Sequence, residues 1–442
     1  MRRLMISVFI LLIAGSASLF AQEEEFNSDR LPIGDPERKF DFCAVKLNRI
    51  VDTQRNSEIA EDQLISELAT LRIVMLGETH TIDQHHQMQL KVIRGLVEQG
   101  AKVCLALEMF NPNQDKLLND YITQKIDEQT FLDDSGYYDT WGHNYRYYKP
   151  IFDYARDNQL PMYGVNIDRE YASKIGRGGV ASLSEEERMA IPAIDTSNVE
   201  HRFYIKVAME GMDATSPDLF KKIYAAQSLW DAAMGDGAIR VAETHPNAVV
   251  VLLAGSGHVA YNLGIGKIIE TRSELPFASL VVVDVPDTVE ESLMMKVKKS
   301  IKDEEKDKPD EGKRKMPSMK MAHGAMDTTP HKIVIRSLAD YLWGLPAEER
   351  EKYPSFGFSL EEEPEDGGFV IKRVIPGTLA EENGLKKGDV ILTIDGATFK
   401  NVTKLKQHLH FKNWDDDIIF NILREEENLN ITFTISNNSK NN

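Results

Sequence analysis

The segment Arg72-Ile73-Val74-Met75-Leu76-Gly77-Glu78-Thr79-His80 is the clearest indication of how this chain folds. It starts with a short apolar run, which is typical of a strand buried on both faces, and it ends in a polar turn. Four more runs of this kind follow, at residues 103–107, 161–165, 248–253 and 279–283, and stretches with helical spacing lie between them. This alternation predicts an α/β fold with a mainly parallel sheet and flanking helices.

The composition is that of a soluble globular protein. The chain has 442 residues, 42% of them hydrophobic, and a net charge of -18. At roughly 150 residues per domain, this length predicts two or three domains. Nucleic acid is disfavoured as a partner because phosphate backbones are bound by clustered Lys and Arg, not by an acidic protein.

The N-terminus carries the pattern of a targeting signal. Arg2 and Arg3 precede an apolar run over residues 4–14, and Ala21 offers a cleavage position after small residues. We therefore predict a signal peptide over residues 1–21 and a periplasmic or otherwise extracytoplasmic protein, soluble or peripherally attached. An uncleaved anchor is the alternative, although the run is shorter than the roughly 20 residues that a membrane-spanning helix needs.

The two cysteines, Cys43 and Cys104, do not have the spacing of a metal site. Cys104 lies within an apolar run, which favours a buried structural thiol. A disulfide between the two is left open, because an extracytoplasmic compartment permits one.

Residues 294–332 differ in composition from the rest of the chain. They are rich in Lys, Glu, Asp, Pro and Met, which predicts a charged linker or insertion. Copper(I) binding by thioethers is a weaker alternative for the group at its end, Met316, Met319, Met321, His323 and Met326. Residues 333–345 are candidates to complete the sheet of the first domain.

The C-terminal region, residues 353–437, resembles a bacterial PDZ domain. The resemblance is carried by the stretch Ser355 to Leu360, by Gly384-Leu385-Lys386-Lys387-Gly388-Asp389, by Ile394-Asp395-Gly396 and by a helical pattern at residues 402–409. It implies a small mixed β/α domain that captures the C-terminal peptide of a partner protein, with Phe356, Gly357 and Phe358 lining the site. The alternative is that the two phenylalanines are core residues. The acidic stretch after Leu360 would disfavour acidic peptides.

Polar residues follow several of the apolar runs. Glu78 and His80 follow the first, Glu108 follows the second, and Gly255-Ser256-Gly257-His258 follows the fourth. Because the carboxyl ends of parallel strands meet at one sheet edge, we expect these side chains to converge. Two imidazoles and a carboxylate could hold a catalytic divalent metal ion, or act as general acid and base without one.

The alternative for His80 and His258 is a structural role as helix caps or loop hydrogen-bonding groups. Glu108 has two further interpretations, a site role or an ion pair with Arg169. We expect only one of His85 and His86 to face the cleft, because they are adjacent on the first turn of a helix, and the other to be solvated. Gly77 and Gly255 are expected to permit sharp turns.

Residues 36–293 resemble the ChaN family, which is implicated in bacterial haem and iron uptake and belongs to the superfamily of the Tiki metalloproteases. The resemblance is carried by an ordered set of motifs, Gly77-Glu78-Thr79-His80 with His85, His86 and Gln89, Leu107-Glu108-Met109-Phe110, Trp141 with Tyr148, Ala226-Gln227 with Trp230-Asp231, and Gly255-Ser256-Gly257-His258 with Tyr261. It implies haem as a cofactor. The Tiki relationship implies His80 and His258 as metal ligands.

The family's Tyr ligation of haem implies a ligand within the cluster His143, Tyr145, Tyr147 and Tyr148. The alternative is that these aromatic residues pack a helix against the sheet. The signal region departs from lipoprotein relatives of the family because it has no Cys for acylation.

Three hypotheses for function follow. The leading one is an extracytoplasmic haem- or iron-binding protein whose PDZ domain binds a partner's C-terminus, with a homodimer left open. The alternative is a metal-dependent hydrolase or peptidase in which Glu78, His80, Glu108 and His258 form the metal and catalytic site. The third is a pure adaptor that acts through the PDZ domain.

Overall fold

The structure is a computed structural model that describes residues 28–209, 215–286, 329–348, 351–361 and 368–436. The predicted signal peptide and the methionine-rich group between residues 316 and 326 lie outside these ranges. Among the described residues, no helix is long and apolar enough to cross a membrane.

The strands, in chain order, are β1 (Phe42–Lys46), β2 (Ile50–Asp52), β3 (Ser57–Ile59), β4 (Ile73–Glu78), β5 (Lys102–Leu107), β6 (Met162–Gly164), β7 (Ala248–Gly255), β8 (Phe277–Val285), β9 (His331–Ile335), β10 (Tyr341–Pro346), β11 (Phe358–Leu360), β12 (Phe369–Val374), β13 (Val390–Ile394), β14 (Asp417–Arg424) and β15 (Glu427–Thr434).

The α-helices are α1 (Glu61–Leu68), α2 (Asp83–Glu98), α3 (Asp115–Ile122), α4 (Glu128–Asp134), α5 (Tyr137–Thr140), α6 (Tyr145–Asp157), α7 (Arg169–Gly178), α8 (Glu185–Ala190), α9 (Val199–Ala208), α10 (Pro217–Thr244), α11 (Ser256–Val259), α12 (Ile265–Arg272), α13 (Leu379–Glu382) and α14 (Val402–His410). Short 3-10 turns lie at Ser28–Arg30, Pro112–Gln114, Val180–Ser182, Ala260–Asn262 and Arg336–Leu338.

An eight-stranded sheet forms the first domain, in the order β3-β2-β10-β8-β4-β7-β5-β6. The strands from β10 to β6 are parallel to one another, and β2 alone runs in the opposite direction, antiparallel to both of its neighbours β10 and β3. All five apolar runs of the sequence are strands of this parallel part, so the predicted α/β class is confirmed. β10 pairs with β8, which places Tyr341–Pro346 in the sheet of the first domain.

Both faces of the parallel strands are buried because helices cover each side. Side chains alternate between the faces along β4, so that Val74 and Leu76 join one core while Ile73 and Met75 join the other. α2 and α6 cover the first face, and α10 and α12 cover the second. The strands that end in polar residues are therefore packed on both faces.

Cys43 and Cys104 are both free and buried. Burial of Cys104 agrees with its predicted structural role. The disulfide left open by the sequence does not form in the structure.

The C-terminal domain has an antiparallel five-stranded sheet in the order β11-β12-β13-β14-β15. Its separate core contains Phe356, Ile371, Leu405 and Phe420. β11 is an edge strand that pairs with β12 on one side and, within the described residues, with no strand on the other. An extended peptide can add to such an edge.

Candidate functional site

The carboxyl ends of three adjacent strands carry the main polar cluster. β4, β7 and β5 are neighbours in the sheet, and they lead directly into Glu78 and His80, into His258, and into Glu108. The structure thus brings together the four residues that the sequence placed at one edge. Asn166, which follows β6, joins them by donating a hydrogen bond to the Glu108 carbonyl at 3.0 Å.

Gly255 lies at the centre of this cluster. A Cβ atom at this position would lie 3.0 Å from Cε1 of His80 and 3.7 Å from Oε2 of Glu108. Its amide donates to the same Glu108 oxygen at 2.6 Å. Gly255 has a φ of -57°, which any residue adopts, so the expected sharp turn is not the reason for glycine here. Glycine is needed here because the side chains of His80 and Glu108 approach this position closely.

Glu78 is the buried acceptor that organises the first half of the cluster. Its Oε1 accepts hydrogen bonds from Tyr148 Oη at 2.5 Å and from His80 Nδ1 at 2.9 Å. Its Oε2 accepts from Gln89 Nε2 at 2.7 Å and lies 3.3 Å from His86 Nδ1. Glu78 is 3% exposed, so these partners replace the water that it loses.

In this half of the cluster, Glu78 forms ion pairs with both His80 and His86. Burial alone would raise the pKa of Glu78, but the charge of His86 and the hydrogen bond from His80 outweigh it and hold that pKa well below its ordinary value. Burial alone would lower the pKa of His80 and of His86, and Glu78 instead raises both. Each partner therefore favours the charged form of the other.

Asp231 organises the second half, from the long helix α10. His258 lies 2.6 Å from Asp231 Oδ1 through Nδ1 and 3.4 Å from Glu108 Oε1 through Nε2. Burial opposes the imidazolium, but the charges of Asp231 and Glu108 outweigh it and raise the pKa of His258 to about 9. Gln227, one turn earlier on α10, lies 2.9 Å from the same Nδ1.

Asp231 and Gln227 were part of the sequence resemblance but were not predicted as site residues. Their only local signal is a four-residue spacing, which places them on one face of a helix. The suggested ion pair between Glu108 and Arg169 is not formed, because Arg169 donates instead to the carbonyl of Thr140 at 3.2 Å. Glu108 is satisfied by His258 and by the Gly255 amide.

The expectation that one of His85 and His86 is solvated is wrong, since both are 2% exposed. His85 accepts a hydrogen bond from the Thr79 amide at 2.9 Å and lies 3.1 Å from Asp284 on β8. His86 points towards Glu78 and the carbonyl of His80. The N-terminus of α2 is packed between strand ends, so both of its sides meet polar partners.

Among the described residues, no group of three His, Cys, Asp or Glu side chains has the geometry to hold a metal ion. The predicted centre of His80, His258, Glu78 and Glu108 finds no support in this arrangement. Glu78 is enclosed by hydrogen-bond donors, and Nδ1 of each histidine is already paired with a carboxylate. The cluster can instead position imidazolium groups beside carboxylates, which is an acid and base arrangement.

The four aromatic candidates divide into two groups. Tyr148 is in the core and donates to Glu78, and Tyr145 is in the core beside Phe131 and Tyr137. Tyr147 packs inward too, but it also lines a cavity, and its hydroxyl accepts from the Tyr353 amide at 3.3 Å. Burial raises the pKa of all three tyrosines, which disfavours a phenolate.

His143 lines the same cavity as Tyr147. Its ring lies 4.5 Å from the His80 ring and 5.2 Å from the Trp141 ring. Within the described ranges its imidazole has ring contacts but no hydrogen-bond partner. Burial and then the charge of His80 lower its pKa to about 4, so His143 is neutral near pH 7 and its ring keeps a free lone pair.

A cavity of about 1080 Å³ joins His143 to the C-terminal domain. From the first domain it is lined by Tyr147 and by the α7 residues Arg169, Ser173 and Arg177, among others. From the C-terminal domain it is lined by residues 353–361 and by Val402, Leu405, Lys406, Leu409 and His410 of α14. The cavity therefore adjoins the edge strand β11 and, through His143, the side of the polar cluster that carries His80.

The predicted peptide-binding residues lie in this cavity wall. Phe356 is a core residue that packs against Phe420, as the structural alternative proposed, but it also lines the cavity. Gly357 has a φ of +76°, and a Cβ there would lie 2.3 Å from the Thr378 side chain. Glycine is required at this position for both reasons. Phe358 is only partly buried and begins β11.

The fold and these sites define a two-domain protein, an α/β domain with a polar cluster at its strand ends followed by a small β-rich domain with a free sheet edge. Comparison with known families agrees with this description. Residues 64–269 match the family described as haem-binding uptake, Tiki superfamily, ChaN, and residues 346–423 match the PDZ domain. The chain thus combines a ChaN-like domain of a haem-binding family with a PDZ domain, as its sequence predicted.

Individual relatives are distant. ChaN of Campylobacter jejuni, solved with cofacially bound haem, is 16% identical with a TM-score of 0.45, over 65% of this chain and 96% of that one. The HtrA-type protease AlgW, solved with a decapeptide, is 22% identical with a TM-score of 0.18, over 19% of this chain and 29% of that one. HhoA of Synechocystis sp., which bears the name of a serine protease, is 29% identical over 86 residues. The matched residues are 20% of this chain. They cover only 21% of the length of HhoA.

Proposed function

We propose that this protein is an extracytoplasmic haem-binding protein that also binds the C-terminal tail of a partner protein through its PDZ domain. The observation that carries the proposal is the placement of His143, a neutral imidazole with no hydrogen-bond partner among the described residues, in the wall of the 1080 Å³ cavity. The match of residues 64–269 to a haem-binding family supports it.

The cavity has the chemical features that a haem requires. A porphyrin needs an axial ligand, apolar or aromatic walls for its faces, and cations for its propionates. His143 supplies an imidazole, Tyr147, Tyr353 and Phe358 supply aromatic surface, and Arg169 and Arg177 supply guanidinium groups. Its volume is slightly above the roughly 300–1,000 Å³ that is typical of small-molecule pockets.

Among the predicted ligands, this geometry favours His143 over the tyrosines. A Tyr ligand binds iron as a phenolate, and burial raises the pKa of Tyr145 and Tyr148 while keeping their hydroxyls in the core. Tyr147 lines the cavity, but its hydroxyl already contacts Tyr353. His143 would therefore supply the ligand to the haem iron, and Tyr147 would form part of the cavity wall.

The test is a haemin titration of the full-length chain, read by absorbance. We expect wild-type protein to give a saturable ligation spectrum and His143→Ala to lose it. Tyr145→Phe is the matched control, because it removes a core hydroxyl of the same segment that does not line the cavity, and it should bind haemin as wild type does. Retained ligation in His143→Ala with loss in Tyr147→Phe would reassign the ligand. Absence of saturable binding by the wild type would end the haem proposal.

Peptide capture is the second part of the proposal. The free edge of β11 can pair with an added strand, and Leu405 and Leu409 of α14 with Phe358 give an apolar place for the last side chain of a tail.

Export is the third part of the proposal, and it rests on the pattern of residues 1–21. Fractionation of cells that express the full-length chain, followed by N-terminal sequencing, should recover a protein that begins after Ala21.

A further inference from the structure

The PDZ domain is fixed to the ChaN-like domain through the helix that borders its peptide groove. Thr403, Lys404 and Lys406 of α14 contact Asp139, Asp133 and the Tyr138 carbonyl at 2.5, 2.6 and 2.9 Å. The Asn144 side chain donates to the His410 carbonyl at 2.9 Å. The groove therefore has a fixed position relative to the segment that carries His143.

A face of α7 borders the same space. Arg169, Ser173 and Arg177 are spaced by four residues, so they lie on one side of this helix, and all three line the cavity that β11 and α14 also line. A peptide that pairs with the free edge of β11 would enter this cavity. Each added residue advances a strand by roughly 3.4 Å, so a tail of a few residues meets the ChaN-like domain.

We propose that the two domains form one composite peptide site, in which α7 of the ChaN-like domain is a specificity-determining wall of the PDZ groove. The occupant is a protein tail with a free carboxylate and an apolar last residue, read at its end by Phe356 to Phe358 and upstream by Arg169, Ser173 and Arg177. This inference rests on the proposed peptide capture and does not require that the protein binds haem.

The experiment starts with an array of free-carboxyl decapeptides that end in Val, Leu or Phe, probed with the full-length chain. The tightest binder is remade with fluorescein, both as the free acid and as the C-terminal amide, and titrated by fluorescence anisotropy. Ser173→Trp fills the cavity at α7, and Arg177→Trp does so from an exposed position, so that at least one variant keeps the native fold. Glu186→Trp, exposed on α8 and outside the cavity, is the matched control, and Ser173→Ala tests loss of the hydroxyl alone.

We expect both cavity variants to weaken binding of the free acid by at least about tenfold, since overpacking a site costs this much. Ser173→Ala should weaken it by less than the Trp variants do, and Glu186→Trp should stay within about twofold of wild type. Equal binding by all variants would overturn the composite site and leave peptide capture by the PDZ domain intact. Equal binding of acid and amide, or no array peptide bound by wild type, would overturn peptide capture and this inference with it.

Discussion

The imidazole rings of His80 and His143 lie with their centroids 4.5 Å apart and their planes inclined by 44°. His80 belongs to the buried polar cluster at the strand ends, and His143 belongs to the wall of the interdomain cavity. This contact joins the two parts of the molecule. The cluster holds His80 through Glu78, and His80 in turn helps to keep His143 neutral.

The first prediction concerns Glu78. Replacement by Gln should destabilise the protein by about 3–5 kcal/mol, because it leaves the buried His86 and the half-buried His80 without their counter-charge. Urea unfolding at pH 7 measures the change. Glu98→Gln, an exposed carboxylate on α2, is the control and should change the free energy of unfolding by less than about 0.5 kcal/mol. A loss for Glu78→Gln as small as that of the control would show that the cluster is not an ion-paired network.

The second prediction concerns pH. The folded pKa of His258 is raised from 6.5 to about 9, so the folded state holds a proton that the unfolded state releases. Its contribution, at most about 3 kcal/mol, is complete below pH 6.5 and is lost as the pH rises through about 9. Asp231→Asn removes the nearest counter-charge and should flatten this decline. Free energies of unfolding of the wild type and the variant, measured at pH 6, about 7.5 and about 9.5, test this prediction. Parallel curves for the variant and the wild type would contradict the assignment.

The third prediction concerns the two ligands. Haemin and a C-terminal peptide should compete, because one cavity of about 1080 Å³ adjoins both His143 and β11 and is close to the size of a single pocket. Added peptide acid should raise the apparent Kd for haemin, and the peptide amide should not. His143→Ala should abolish displacement of labelled peptide by haemin while still binding the peptide. Simultaneous saturation by both ligands would refute competition.

The fourth prediction concerns the thiols. Burial raises the pKa of Cys43 to about 12 and that of Cys104 to about 11, so neither forms a thiolate near pH 7. A chromogenic disulfide reagent should react slowly with native protein and should titrate both thiols after denaturation without reductant. Ser57→Cys, at an exposed strand position, provides a fast-reacting control. Absence of thiols after denaturation would mean that a disulfide had formed.

Much of the fold follows from local sequence pattern. The runs at 73–78 and 248–255 are strands because their continuous apolar residues need burial on both faces, and the polar residues after them meet because parallel strands end at one edge. The side on which α2 packs was not predictable, so the burial of both His85 and His86 was missed. A hydrophobic period places a helix face against the sheet, but it does not reveal which polar groups the neighbouring strand ends present.

The sequence by itself determined the two domains, their order and the convergence of Glu78, His80, Glu108 and His258, because period and strand polarity are local properties of the chain. Only the tertiary structure brought Asp231 to His258, His143 to His80, and α7 to the PDZ groove. These pairs depend on how helices pack across long stretches of chain. Side-chain packing fixes those distances, and no periodic pattern in the sequence encodes them.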